Sequence, residues 1–253
     1  MTECKIGMHA DTNLLGRYLL VVDSDPMALL YTSMLLQRFG YNVCTNMKGL
    51  DAFEMAIVAG PSLIMIDLNL TDTPALELIG RLKKDQRTAF VPVIVTASDP
   101  SPELEHRTQQ AGANAILRNL VTAEQLYRTV QHAIERTPRR NLRIRTRLPV
   151  IMNGKKLDCT SGECVSELSE HGLYVRTLNP CPASAAVSLQ IEINDRRIPI
   201  DALVLYCHLS GEGPFGEPGM GLRFAGIAAQ DREYIRVYIE EEIMKGIPRR
   251  SGG

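Results

Sequence analysis

Two groups of residues in this chain have the types and spacing to do chemistry: carboxylates at the ends of short apolar runs, and a dense cluster of arginines. Asp23 closes the run Tyr18–Asp23, Asp67 closes Leu63–Asp67 and Thr96 closes Pro92–Thr96. Two carboxylates meeting at one rim supply the hard oxygen ligands that Mg²⁺ takes, and Thr96 adds a hydroxyl there. An Asp after a strand is equally an ordinary turn or capping residue. Asp25-Pro26 has the form of an N-cap followed by a first-turn proline. Spacing alone leaves both readings open for Asp23 and Asp67.

The arginines lie between Arg136 and Arg147, where six of twelve residues are arginine (136, 139, 140, 143, 145, 147) and none is acidic. A charge run is most often a solvated face. Arginine is also a reader of phosphate and guanine, because its planar fork binds phosphate oxygens or the O6/N7 edge and stacks on bases. Nucleic acid fits that chemistry weakly here: the cluster is short, has no aromatic residues interleaved, and no recognition helix accompanies it. Cys159 and Cys164 have no second Cys/His pair at zinc spacing, since His171 and His208 stand apart. No Gly-rich phosphate loop, HExxH or GxSxG is present, so an enzyme acting on a separate substrate is not expected.

The elements that must position these residues follow from periodicity. In the first half, strand-sized runs (Tyr18–Asp23, Asn42–Thr45, Leu63–Asp67, Pro92–Thr96, Ala115–Leu117) alternate with amphipathic stretches (Met27–Phe39, Leu50–Ala59, Ala75–Lys84, Pro102–Ala111, Thr122–Glu135). Helices of that length between strands make βαβ crossovers and a doubly wound five-stranded parallel sheet. In such a sheet, ligands bind at the carboxyl ends of the strands, where strand order switches, which is where Asp23 and Asp67 fall.

Near Thr137-Pro138 the pattern changes. Arg145–Met152, Gly172–Thr177, Val187–Ile193, Arg197–Leu209 and Gly219–Phe224 read as antiparallel strands, with turns at Asn153-Gly154 and Asn194-Asp195. A helix over Asp231–Met244 closes the chain. The expectation is a six-stranded antiparallel β-barrel with a terminal helix. Charge follows the same division: residues 1–136 hold 12 basic and 15 acidic residues, and residues 137–253 hold 16 and 14.

Composition sets the outer limits. The chain has 253 residues, 45% hydrophobic and 23% charged, with a net charge of -1. That is room for two cores without disulfide or metal support, and it excludes a protein built as a whole to coat a polyanion. No apolar run approaches the roughly 18 residues of a membrane span. The start, MTECKIGMHADTN, is not a secretory signal. The six scattered cysteines then read as reduced thiols, and the expected location is the cytoplasm.

LLVVDSDP, PSLIMIDLNL, VPVIVTAS and AGANAIL, in this order and spacing, resemble a response-regulator receiver domain, a flavodoxin-like fold. The resemblance implies that Asp67 is the phosphoacceptor, Asp23 one of the acidic pair and Thr96 the switch hydroxyl. It makes Asp23, Asp67 and the carbonyl of Asn69 ligands for Mg²⁺, and a histidine kinase a partner. The departures are Ser24 in place of the second acid, Asn119 in place of the lysine and Ile116 in place of the switch aromatic. Thr71 and Ala75 stand where the family has Pro and Gly. Ser24 replaces an anionic ligand by a neutral one, and Asn119 removes the cation that pairs with a phosphoryl group. The alternative use of the fold is docking or homodimerisation through Pro102–Ala111 and Thr122–Glu135.

RRNLRIRTRLPV, ELSEHGLYV, GMGLRF and the final helix are similar to the PilZ domain, a receptor family for cyclic di-GMP. Its RxxxR motif maps onto Arg139 and Arg143, and its Asp/Asn-x-Ser-x-x-Gly motif onto Glu167, Ser169 and Gly172. The resemblance implies that Arg139, Arg140 and Arg143 clamp phosphates and guanine edges, Ser169 hydrogen-bonds the ligand, and Gly172 lets the backbone turn close to it. Glu167 departs by one methylene from the family's Asp or Asn. The expected organisation is a flexible N-terminus (1–16), a receiver-like domain (17–136), an Arg-rich linker (137–144), a barrel domain with its helix (145–246) and a flexible tail (247–253). The expected function is that of a bacterial cyclic di-GMP effector. Ligand clamping by the linker would reorient the domains and alter binding to motility, secretion or polysaccharide machinery. The alternative is a scaffold that uses neither ligand nor phosphorylation.

Overall fold

The computed structural model describes residues 18–119, 122–135, 138, 141–209 and 217–247. They fall into two compact units, the second running from Arg140 to Lys245.

The first unit alternates strand and helix: β1 (Tyr18–Val22), α1 (Pro26–Arg38), β2 (Asn42–Asn46), α2 (Gly49–Ala59), β3 (Leu63–Asp67), α3 (Ala75–Lys84), β4 (Val93–Ala97), α4 (Pro102–Ala111), β5 (Ala115–Arg118) and α5 (Ala123–Ile134). All four strand pairings are parallel, in the order β2-β1-β3-β4-β5. The order reverses between β1 and β3, so their carboxyl ends flank the switch point. β1 and β3 are apolar at successive positions because helices cover both faces of the sheet. Leu20, Val22, Ile64 and Ile66 pack with Phe53, Leu78 and Ile79, while Leu19, Val21, Leu63 and Met65 are buried on the other face.

The helix starts are set by named caps. Asp25 accepts from the Met27 amide, Ser101 from Leu104, and Thr122 forms a capping box with Gln125. α2 has no cap of its own; Asp72, from the loop after β3, accepts from the amides of Gly49 (2.9 Å) and Leu50 (3.1 Å). Expected and observed boundaries differ by a residue or two where a capping residue was counted as helix.

The second unit contains β6 (Arg143–Leu148), β7 (Val150–Met152), β8 (Lys155–Lys156), β9 (Cys164–Ser169), β10 (Gly172–Arg176), β11 (Ala186–Ile193), β12 (Arg196–His208), β13 (Gly219–Gly226) and α6 (Ala229–Met244). Among the described residues its antiparallel sheet has eight strands rather than six, in the order β6-β9-β10-β13-β12-β11-β7-β8. The expected strand Arg145–Met152 is two strands divided by Pro149, which has no N–H to continue a ladder. β6 pairs with β9 and β7 with β11. One residue thus joins strands near opposite ends of the sheet, so the sheet must curl into a half-barrel. Asn153-Gly154 and Asn194-Asp195 make the turns, all four residues at positive φ. α6 buries Ile235, Ile239 and Ile243, and Arg196 on β12 holds its first turn through Asp231 (2.6 Å).

Candidate functional site

At the switch point, Asp23 and Asp67 are both buried, at 8% and 6% exposure. Asp67 is bonded on both oxygens. Its Oδ2 accepts from the Asn69 amide (2.8 Å), and its Oδ1 accepts from the Thr96 hydroxyl (3.3 Å) and the Asn119 side-chain amide (3.3 Å). Asp23 accepts from the Asp25 amide (2.9 Å). The sheet therefore brings Asp23, Asp67, Thr96 and Asn119 to one rim. Asp25 is a cap, and Arg118 turns away to Asp99 (2.9 Å).

Ser24 is built into the surrounding loops. Its hydroxyl donates to the Met47 carbonyl (3.1 Å) and accepts from the Thr71 amide (3.1 Å), with the Thr71 hydroxyl 3.2 Å away. Among the described residues no group of three or more His, Cys, Asp or Glu side chains converges on a metal position. Two carboxylates and a backbone carbonyl still fit a largely hydrated Mg²⁺, which Asp23, Asp67 and Asn69 would hold. A phosphoryl group on Asp67 is a different matter. Ser24 spends its hydroxyl within the protein, and Asn119 brings a neutral amide where a cation would neutralise the added charge.

In the second unit, register makes the site. Arg143 pairs with Ser169, Ser169 with Gly172, and Gly172 with Arg223. In the next row Arg145 pairs with Glu167, Glu167 with Tyr174, Tyr174 with Gly221, and Gly221 with Tyr206. Residues paired across strands share a face, so both rows project to one side. All of them except Arg145 line a cavity of about 210 Å³, with Leu168, Leu173, Leu205 and Leu222 also in its lining. Arg143 reaches Glu167 (3.4 Å), and the buried Ser169 hydroxyl donates to the Gly172 carbonyl (2.8 Å), closing the turn between β9 and β10. Gly172 is required by space: a Cβ there would come within 2.4 Å of the Leu222 carbonyl oxygen. Arg143, Glu167, Ser169 and Gly172 are thus brought to one place. Arg139 and Arg140 lie outside the described residues.

Sequence reasoning missed the aromatic wall. Tyr174, Tyr206 and His208 cluster with ring centroids 5.1 to 6.4 Å apart. Tyr206 lies over Gly221, where a Cβ would meet its ring. Burial, reinforced by Tyr206 and nearby carboxylates, pushes the Tyr174 phenol up to about 12, so it stays a donor, and it gives its proton to the Glu217 carbonyl (3.1 Å). Strand period alone could have flagged Tyr174, two residues after Gly172 and therefore on the same face.

The response regulator receiver domain profile matches residues 19–131 and the PilZ domain profile residues 137–241. The DNA-binding dual master transcriptional regulator RpaA of Synechocystis is 28% identical over 121 residues, 48% of this chain. The chain spans only 50% of that relative's length. The polar-differentiation response regulator DivK of Brucella ovis is 24% identical over 112 residues, covering 44% of this chain and 91% of DivK. Among solved structures, chemotaxis protein CheY4 of Vibrio cholerae aligns with a TM-score of 0.45 at 26% identity, covering 46% of this chain and 98% of its own. A response regulator from Chloroflexus aurantiacus aligns at 0.46 and 22%, covering 47% and 98%. No helix among the described residues is long and apolar enough to cross a membrane. Receiver and PilZ domains are signalling domains, and the PilZ family binds cyclic di-GMP. With both patterns matched in sequence and both folds formed, the chain is a response regulator receiver domain, residues 19–131, fused to a PilZ domain, residues 137–241.

Proposed function

We propose that this protein is a bacterial cyclic di-GMP effector whose receiver half works by docking rather than by phosphorylation. The observation that carries the proposal is the pair of cross-strand rows that gathers Arg143, Glu167, Ser169 and Gly172 around one apolar-walled cavity. The ligand is a compact dianion with two guanines. Guanidinium forks suit its phosphates and guanine edges, and the Glu167 carboxylate suits guanine N1–H and N2–H. Leu205 and the Tyr174 and Tyr206 rings suit the faces of the bases. Arg139 and Arg140 complete the clamp from the chain that precedes β6. Engaging that segment on the ligand changes how the receiver is presented to a partner. The partner belongs to motility, secretion or polysaccharide machinery in the cytoplasm. Homodimerisation through α4 and α5 is the receiver's own docking mode.

Ser24 and Asn119 favour this division of labour, because each replaces a charged group that phosphoryl signalling uses. A histidine kinase is then a docking partner rather than a phosphoryl donor, and any Mg²⁺ at Asp23, Asp67 and Asn69 is weakly held.

The test is calorimetric titration of cyclic di-GMP into the full-length protein, beside the double variant Arg139→Ala/Arg143→Ala. Saturable binding at about micromolar Kd or tighter, lost in the variant, is expected. Absence of heat, together with absence of binding by a fluorescent-ligand assay, would sink the receptor reading. The scaffold would then stand in its place.

A further inference from the structure

The second-messenger reading uses the first half of the arginine cluster and leaves Arg145 and Arg147 without a task. Both lie on β6, two residues apart, and therefore on one face. With Arg176 of β10 they line a second cavity of about 440 Å³ in the PilZ domain. We propose that this cavity is a separate anion site, selective for a phosphoryl-rich group of the pyrophosphate class.

The loop between β8 and β9 shapes the site. Arg147 donates to the Cys159 carbonyl (3.0 Å), holding the loop from one side. Arg176 holds it from the other, lying across Gly162, where a Cβ would come within 3.3 Å of the guanidinium carbon. Gly162 is also at φ +92, a conformation that favours glycine. The hydroxyls of Thr160 and Ser161 turn inward to Asp158 (2.6 and 2.8 Å), so the loop is fixed independently of any ligand. Glu163 is drawn off to Thr177.

Charge and lining give the ligand class. Two carboxylates reach the cavity, Glu167 and Glu217. Glu167 is engaged by Arg143 and Glu217 by Arg176 (3.0 Å). Three lining guanidiniums, Arg145, Arg147 and Arg176, thus stand against two lining carboxylates, one of which is also met by Arg143 from outside the cavity. Among the described lining residues there is no aromatic ring and no Val, Leu, Ile or Met side chain. The cavity beside Gly172 has both. One cavity can therefore read a base, whereas the other reads charge alone. Guanidiniums spread over two strands suit a group with several phosphate oxygens better than a single small anion.

The experiment is titration of inorganic pyrophosphate into full-length, ¹⁵N-labelled protein, followed by amide shifts, with sulfate at matched ionic strength as the control. Saturable shifts at Ser161, Gly162 and Ser166 are expected from pyrophosphate and not from sulfate. Arg147→Ala/Arg176→Ala should weaken binding at least about tenfold, and Arg197→Ala, outside the cavity lining, should leave it unchanged. A second arm adds saturating cyclic di-GMP. Continued pyrophosphate binding supports two sites. Displacement, with loss of cyclic di-GMP binding in Arg147→Ala/Arg176→Ala, would make the cavity part of the other ligand's footprint and overturn the proposal. Linear, sulfate-like shifts would also overturn it without bearing on the cyclic di-GMP reading, whereas displacement would uphold that reading.

Discussion

The Thr71 amide donates to the side-chain oxygen of Ser24 across 3.1 Å, tying the loop after β3 to the loop after β1. A receiver pocket that holds its loops this way spends on internal structure the oxygen that an acidic residue would offer to a metal. The same loop reaches α2 through Asp72. The rim is thus cross-linked by neutral and capping contacts, and Asn119 completes it by donating to Asp67.

The wild type should therefore gain no stable phosphoryl label from acetyl phosphate and Mg²⁺, whereas Ser24→Asp/Asn119→Lys should gain one that Asp67→Asn abolishes. Intact-mass measurement after desalting decides. A stoichiometric label on the wild type would return the receiver to ordinary phosphoryl signalling.

Asp72→Ala should loosen the start of α2 by about 1 kcal/mol, the usual worth of a helix N-cap. Partial burial pushes the Asp72 carboxyl up, but the Gly49 and Leu50 amides and the Lys48 charge together bring it below its ordinary value. A depressed carboxylate contributes stability above its unfolded pKa and loses it as pH falls through the folded value. Amide exchange at Gly49 and Leu50 should rise about fivefold at neutral pH. The gap between variant and wild type should close as pH drops below about 4.

Gly172→Ala and Gly221→Ala should part company. At Gly172 the added carbon meets a backbone oxygen at 2.4 Å, so β10 and β13 must separate and stability should fall by about 1–3 kcal/mol. At Gly221 the obstacle is the outer end of the Tyr206 ring, which can swing aside. That variant should keep its urea midpoint and lose affinity for cyclic di-GMP. Equal destabilisation of the two would contradict this.

Asp231→Ala should detach the first turn of α6. Arg196 holds Asp231 at 2.6 Å and stacks over Tyr234 at 4.6 Å, and removing one member of a half-buried charged pair costs about 1–3 kcal/mol. Faster proteolysis near α6, with cyclic di-GMP binding unchanged, is the expected result.

The receiver sheet was readable from sequence because a strand buried on both faces is a continuous apolar run, and Leu19–Val22 and Leu63–Ile66 are such runs. The half-barrel was harder. Its strand β9 alternates poorly, since a register shift between Tyr174 and Val175 interrupts its pairing. β8 is only two lysines, which carry no strand signal. The motif residues at 143, 167, 169 and 172 were legible as a spacing. Tyr206, Arg223 and Arg176 were not, because they reach the two cavities only through pairings set far along the chain.

The pairing of Arg143 with Ser169 has a mechanical side. Arg143 is the first residue of β6, so the chain arriving from the receiver enters the sheet at this rung. A strand pulled from its end opens rung by rung, and the rung proposed to read cyclic di-GMP is the first to carry the load. A ligand seated there acts as a stitch at the head of a seam. Tension passed along the chain would loosen its grip, and its presence would raise the force needed to peel the strand away.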